Sequence, residues 1–271
     1  MKRTEIISRV ARGGDGQLAP GVELHLLATG AMGARGLTTA LAVFHPDANL
    51  PYHRHAFSEV IVAVSGAALV RVEGRVYRLG PCDAMHLPAG TAHSVQNASS
   101  MERAVLHSSF ASDVPSREVV AASYAERECA DVPRGAAEGL VRFDLAPVYE
   151  LAPQAYFRDL FAKRLGAQGI CGGYGLFESG ASLPCHFHEF DESITIVTGE
   201  AVCQVAGKEY RLSDCGTACI PKRRPHRFLN RSASPMAMIW VYAGDEPERT
   251  VVDAGACDGS CDWSRFVPPE A

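Results

Sequence analysis

Two groups of residues combine types and spacing suited to metal chemistry. His53 and His55 are followed by Glu59, and His186 and His188 by Glu192. A further histidine follows each group after a proline turn: His93 after Pro88-Ala89-Gly90, and His226 after Pro221-Lys222-Arg223. Side chains alternate faces along an extended strand, so 53, 55 and 59 share one face, as do 186, 188 and 192. A neighbouring strand that returns His93 and His226 to those faces completes two sets of three imidazoles and one carboxylate. Such a set suits a divalent transition metal. These ions often take six ligands, which leaves roughly two positions for water, oxygen or substrate.

The two sets are one pattern written twice. Sliding the sequence by 133 positions places His53 on His186, His55 on His188, Glu59 on Glu192, His93 on His226 and Asn97 on Asn230. Gly66 then falls on Gly199, and Tyr77-Arg78-Leu79 on Tyr210-Arg211-Leu212, with no gap between Leu41 and Asn97. A fold has been duplicated, and the chain divides into units 1–132 and 133–271.

Each unit must position its ligands on strands. Residues 61–64, 68–72 and 75–79 are short runs rich in β-branched residues, punctuated by Gly66 and Gly74. Residues 194–197, 201–205 and 209–212 repeat this around Gly199 and Gly207. Short strands with glycine turns predict an antiparallel, all-β sandwich or barrel. Two segments stay open. Residues 116–129 read as a short helix or an irregular crossover, and 153–165 as a helix turn or opening strands. Trp263 and Phe266 in the tail are candidate anchors onto a barrel.

The spacing resembles the cupin superfamily. HxH-x3-E-x6-G is met in both halves, ending at Gly66 and Gly199, and PxG-x2-H-x3-N is met from Pro88 to Asn97. In the second half Arg223 stands in place of the PxG glycine, so the turn at 221–223 is expected to differ in backbone. The resemblance implies a bicupin: two antiparallel jelly-roll barrels (double-stranded β-helices), each with a divalent transition metal inside. Iron or manganese is favoured, with nickel, copper or zinc as alternatives.

The surroundings of the two sets differ. His25, His45, His86 and His107 all lie in the first half, where they are either proton carriers or ordinary core and surface residues. His86, on the approach to Pro88, is the candidate for a catalytic role. The second half carries Lys222, Arg223, Arg224 and Arg227 around His226. Arg223 and Arg227 are candidate contacts for an anionic substrate, the alternative being a solvated rim or an interface.

Composition excludes several classes. The 271 residues are 47% hydrophobic with a net charge of −5, which suits packed cores and gives no basic stripe for nucleic acid. No apolar run reaches the ~18–20 residues of a membrane helix, and with no apolar run over residues 1–16 a signal peptide is not expected there. A soluble, cytoplasmic protein is expected. Nine cysteines, an odd number in a chain that is not small, are expected to be mostly reduced, buried and inert. No phosphate loop or nucleophile elbow occurs.

The leading functional expectation, implied by the resemblance, is a non-haem dioxygenase acting on a small organic molecule that chelates the metal through an enolate, hydroxyl or carboxylate. Glu59 or Glu192 would leave the metal and act as base. The alternatives are an oxygen-independent isomerase, lyase or decarboxylase, and a non-enzymatic sensory or ligand-binding bicupin. The expected partners are a small substrate, anionic if Arg223 and Arg227 contact it, and a second copy of the chain paired through exposed barrel edges.

Overall fold

The computed structural model describes residues 3–10 and 14–265. They form two β-barrels whose sheets are antiparallel apart from one short parallel pair, Arg75–Leu79 with Arg127–Glu128. Each barrel is made of two facing sheets, of seven and six strands in the first and seven and five in the second. In the first barrel Ala84–Leu87, Glu59–Ser65, Ala104–Phe110 and Thr38–Phe44 lie side by side. In the second, Thr217–Ile220, Glu192–Thr198, Met236–Tyr242 and Cys171–Phe177 repeat that order.

Alternation along the strands separates two kinds of burial. Phe44, Ile61, Leu87 and Leu106 fill the first barrel, and Phe157, Ile194, Phe228 and Met238 the second. The opposite faces of the same strands pack barrel on barrel: Val60, Val62 and Ala84 of the first meet Leu160, Ile239 and Val241 of the second. Both faces are therefore apolar, which explains the unbroken β-branched runs in the sequence. Gly66 and Gly199 hold positive φ of 72° and 71°, and a Cβ at either would lie 2.6 Å from a backbone carbonyl oxygen. No other residue fits that turn.

The repeat extends to an exchange of leading strands. Ile6–Ser8, at the start of the first unit, pairs with Thr217–Ile220 of the second barrel. Its counterpart 133 positions later, Gly139–Val141, pairs with Ala84–Leu87 of the first. The division at 132/133 is thus crossed by strand pairing in both directions. Glu5 secures the first of these strands, accepting from Tyr210 at 2.5 Å, Arg224 at 2.7 Å and Lys208 at 3.0 Å.

The two open segments resolve as extended chain. Residues 116–129 contain the strands Glu118–Val119 and Arg127–Glu128, and 153–165 contain Ala155–Phe161 and one 3-10 turn. Trp263 does anchor the tail, its ring lying 5.6 Å from the Arg224 guanidinium; Phe266 lies outside the described residues. The expectation of mostly reduced cysteines holds for seven of the nine and fails for one pair. Cys185 and Cys257 form a disulfide, joining the residue just before the strand His186–Phe187 to the short helix Gly255–Asp258, while the other seven are free. Their separation of 72 residues hid the pair. No helix among the described residues is long and apolar enough to cross a membrane.

Candidate metal centres

His53 and His93 are direct cross-strand partners, and so are His186 and His226. Glu59 and Glu192 begin strands of the facing sheets. Each donor set therefore bridges the two sheets of its barrel. All eight residues are buried, and within each set the four ligand atoms lie within 4.8 Å of one another.

Backbone carbonyls fix the imidazoles. Nδ1 of His53, His55 and His93 meets the carbonyl oxygens of Pro51, Ser116 and Thr91 at 2.8, 2.5 and 3.0 Å. Nδ1 of His186, His188 and His226 meets those of Pro184, Glu248 and Arg224 at 2.8, 2.5 and 2.9 Å. A carbonyl only accepts, so every Nδ1 carries the proton and every neutral ring turns a bare Nε2 lone pair inward. The Nε2 atoms of His55, His93, His188 and His226, and Oε2 of Glu59 and Glu192, are buried without a hydrogen-bond partner. Lone pairs and a carboxylate converging in a dry interior are costly by themselves. A divalent cation satisfies all of them at once, so the residues present fit a metal.

Burial and the adjacent His93 push His53 down to about 4, which keeps its ring neutral and able to ligate. Burial raises the Glu59 carboxyl, but the His55 and His93 rings crowded against it outweigh that and hold the group well below the usual carboxylate range. The same balance, with His226 and His188, holds Glu192 ionised.

The other candidates fall away from the donors. His86 pairs with Val60, one position out of step with Glu59, so it shares the barrel-facing-barrel side and not the interior. Both its ring nitrogens are buried without partners, and burial pushes it to about 4. Arg227 follows the inward His226 and so faces outward, donating to Gln204 at 2.7 Å. Arg223 is engaged with Glu189 at 2.6 Å. The turn bearing it does not differ in backbone: Arg223 holds φ of 60° against 81° at Gly90. Its amide donates to His188 at 2.6 Å as that of Gly90 does to His55 at 2.7 Å. Open space around Gly90 shows that this turn has room for a side chain, which leaves only the left-handed backbone cost of about 1–2 kcal/mol. Asn97 and Asn230 tie down chain, each giving its amide to three carbonyls.

The carbonyls of Ser116 and Glu248 were not found from sequence. A signal existed, because the repeat resumes beyond Asn97 at a spacing of 132, one residue short. Phe110 then falls on Tyr242, Asp113 on Asp245, Pro115 on Pro247 and Arg117 on Arg249. In each barrel this segment folds back as a strap: Val119 pairs with His53, and Val251 with His186.

The interiors diverge. A cavity of about 190 Å³ adjoins His53, His55 and Glu59, with mostly aliphatic walls and Phe110, Ser108, Thr38 and Arg117 among its lining. At the matching positions the second barrel carries larger groups: Phe157 for Leu24, Phe228 for Val95, Trp240 for Ser108 and Tyr242 for Phe110. Gly173 and Gly175 replace Ala40 and Ala42, and a Cβ at Gly173 would lie 2.9 Å from the Trp240 ring. The Tyr242 ring lies 4.4 Å from that of His188.

The family model described as Cupin_2, a cupin domain, matches residues 40–110 and 173–242, the two segments that carry these donors. No curated protein matches the chain. Among solved structures, oxalate decarboxylase from Bacillus subtilis superposes with a TM-score of 0.72 at 14% identity, covering 93% of this chain and 79% of that one. Oxalate decarboxylase from Lactobacillus farciminis, as a formate complex, gives 0.74 at 13% identity over 93% and 89%. Salicylate 1,2-dioxygenase from Pseudaminobacter salicylatoxidans gives 0.67 at 13% identity over 83% and 77%. At such identities the likeness is one of fold. With the same family model met in both halves, the chain belongs to the cupin domain family, as a bicupin.

Proposed function

We propose that the protein is a metal-dependent dioxygenase whose chemistry takes place in the first barrel. The observation that carries this reading is the cavity beside His53, His55 and Glu59, at positions where the second barrel bears Phe228, Trp240 and Tyr242. Substrate needs space next to open metal positions, and the first barrel has it.

His53, His55, His93 and Glu59 hold the ion, with iron or manganese favoured for a set of three nitrogens and one oxygen. When bound, such an ion supplies Lewis acidity and redox capacity for reaction with dioxygen. The protein's own part is positional. The carbonyls of Pro51, Ser116 and Thr91 lock the three rings. The aliphatic wall excludes water, and Glu59 is the one carboxylate placed to take a substrate hydroxyl proton. Among the described residues the cavity lining contains no other Asp or Glu and no Lys or Tyr. Decarboxylases and isomerases must return a proton to carbon, so this poverty in acids favours oxygenation over those alternatives. The second barrel's His186, His188, Glu192 and His226 hold a metal that serves stability.

The test couples elemental analysis of protein purified without added metal to a substrate screen with an oxygen electrode. Oxygen uptake abolished by His53→Ala and retained by His186→Ala is expected. The same product formed under argon would replace this reading by a lyase or decarboxylase.

A further inference from the structure

Besides the donors and Ser116, whose carbonyl orients His55, three polar residues interrupt the apolar wall of the first cavity. Thr38 is fully buried, and its hydroxyl has no hydrogen-bond partner. It stands in line with the site, since Phe110 pairs with Glu59 on one side and with Thr38 on the other. Ser108 lies one step further along the same strand face. Arg117 sits on the strap immediately after the carbonyl that orients His55. One of its nitrogens donates to the Leu18 carbonyl at 2.5 Å. It has no carboxylate partner among the described residues, whereas Arg54, Arg75, Arg142, Arg223 and Arg224 are each paired with one. A guanidinium has five donors in a planar fork, so several remain for a ligand.

The volume bounds what fits. An apolar void of about 150 Å³ accepts a benzene ring. The 190 Å³ here therefore takes a six-membered ring or a branched chain of similar bulk with small substituents. One cation at the edge, the Thr38 and Ser108 hydroxyls along one stretch of the wall and aliphatic surface elsewhere complement one anionic group, one further oxygen and an apolar body. They do not complement a second carboxylate away from the metal.

We propose that the ligand of the first barrel is a small monocarboxylic acid with an apolar, ring-sized body, its carboxylate held by Arg117 and a second oxygen by Thr38. This rests on the assignment of the first barrel as the substrate site. It makes Arg117 and Thr38 specificity determinants, and it sets the site apart from one built for a compact dicarboxylate. Repetition does not carry the preference into the second barrel. Arg249 matches Arg117, but Cys171 replaces Thr38 and Trp240 replaces Ser108.

The experiment is calorimetric titration of the metal-loaded protein under argon with benzoate, 3-hydroxybenzoate and oxalate. Benzoate is expected to bind, and Arg117→Gln to weaken it at least tenfold. Arg249→Gln, the matched change in the other barrel, should leave it unaltered and so control for folding. Thr38→Val should weaken 3-hydroxybenzoate several-fold and leave benzoate unchanged. Oxalate, if it binds by chelation, should be indifferent to Arg117→Gln. Absence of benzoate binding, or binding equally tight in Arg117→Gln, overturns the proposal. Arg117-dependent binding with no oxygen uptake for any such acid would keep the ligand class and reject the dioxygenase reading.

Discussion

Nδ1 of His55 donates to the carbonyl oxygen of Ser116 at 2.5 Å, across 61 residues of chain. Nδ1 of His188 does the same to Glu248 at 2.5 Å, across 60. In both barrels a strap that contributes no ligand decides which ring nitrogen faces the ion. Outer groups of this kind are worth about 10–100-fold in metal affinity. Excising residues 114–116 withdraws the acceptor from His55. Metal affinity of the first barrel is expected to fall by about that factor with the second barrel unaffected. Competition against a chelating dye, read as two classes of site, checks this.

Ser108→Trp installs in the first barrel the residue that fills the second. Turnover should vanish while both metals remain bound. Because the ring enters an existing cavity, the stability change should stay under the ~1–3 kcal/mol of ordinary overpacking. Metal content, thermal midpoint and oxygen uptake on one preparation are the measurements. Trp240→Ala, which empties a packed position, should cost about 3–5 kcal/mol.

His107 is fully buried between the barrels, 3.2 Å from the Thr195 hydroxyl. Burial pushes it from 6.5 to about 4. The unfolded chain therefore binds the extra proton between those values and the folded chain does not. Stability is complete above pH 6.5 and declines as pH falls toward 4, by about 1.4 kcal/mol per unit through this residue. His107→Asn should flatten that limb of a denaturant titration series; an unchanged slope contradicts the assignment.

The Cys185–Cys257 bond closes 72 residues. Chain entropy gives a loop of that size about 4 kcal/mol of stabilisation. Cys257→Ser should lower the denaturation midpoint of the second barrel accordingly and leave the first barrel's metal in place. Whether the bond persists in the cell depends on the compartment, since reducing ones keep such thiols apart. Alkylation of free thiols at the moment of cell lysis tests this: seven labelled cysteines with the bond intact, nine without it.

The donor sets were readable in the sequence because each rests on local rules. HxH puts two rings on one strand face whatever the rest of the chain does, and a repeat of 133 that preserves eight donors specifies one fold twice. The all-β architecture followed from the same short alternations. Distances between strands are not local, and there the sequence fell silent. His86 and Arg227 lie close to ligands along the chain, but strand register turns them to the other face. Ile6–Ser8 and Gly139–Val141 exchange barrels because each completes the edge of the other unit's sheet. The loss of one residue before the last strand of the second unit put Arg249 out of step with Arg117. Which barrel keeps room for a substrate depended on how Ser108 or Trp240 meets the strand opposite, which only packing in three dimensions decides.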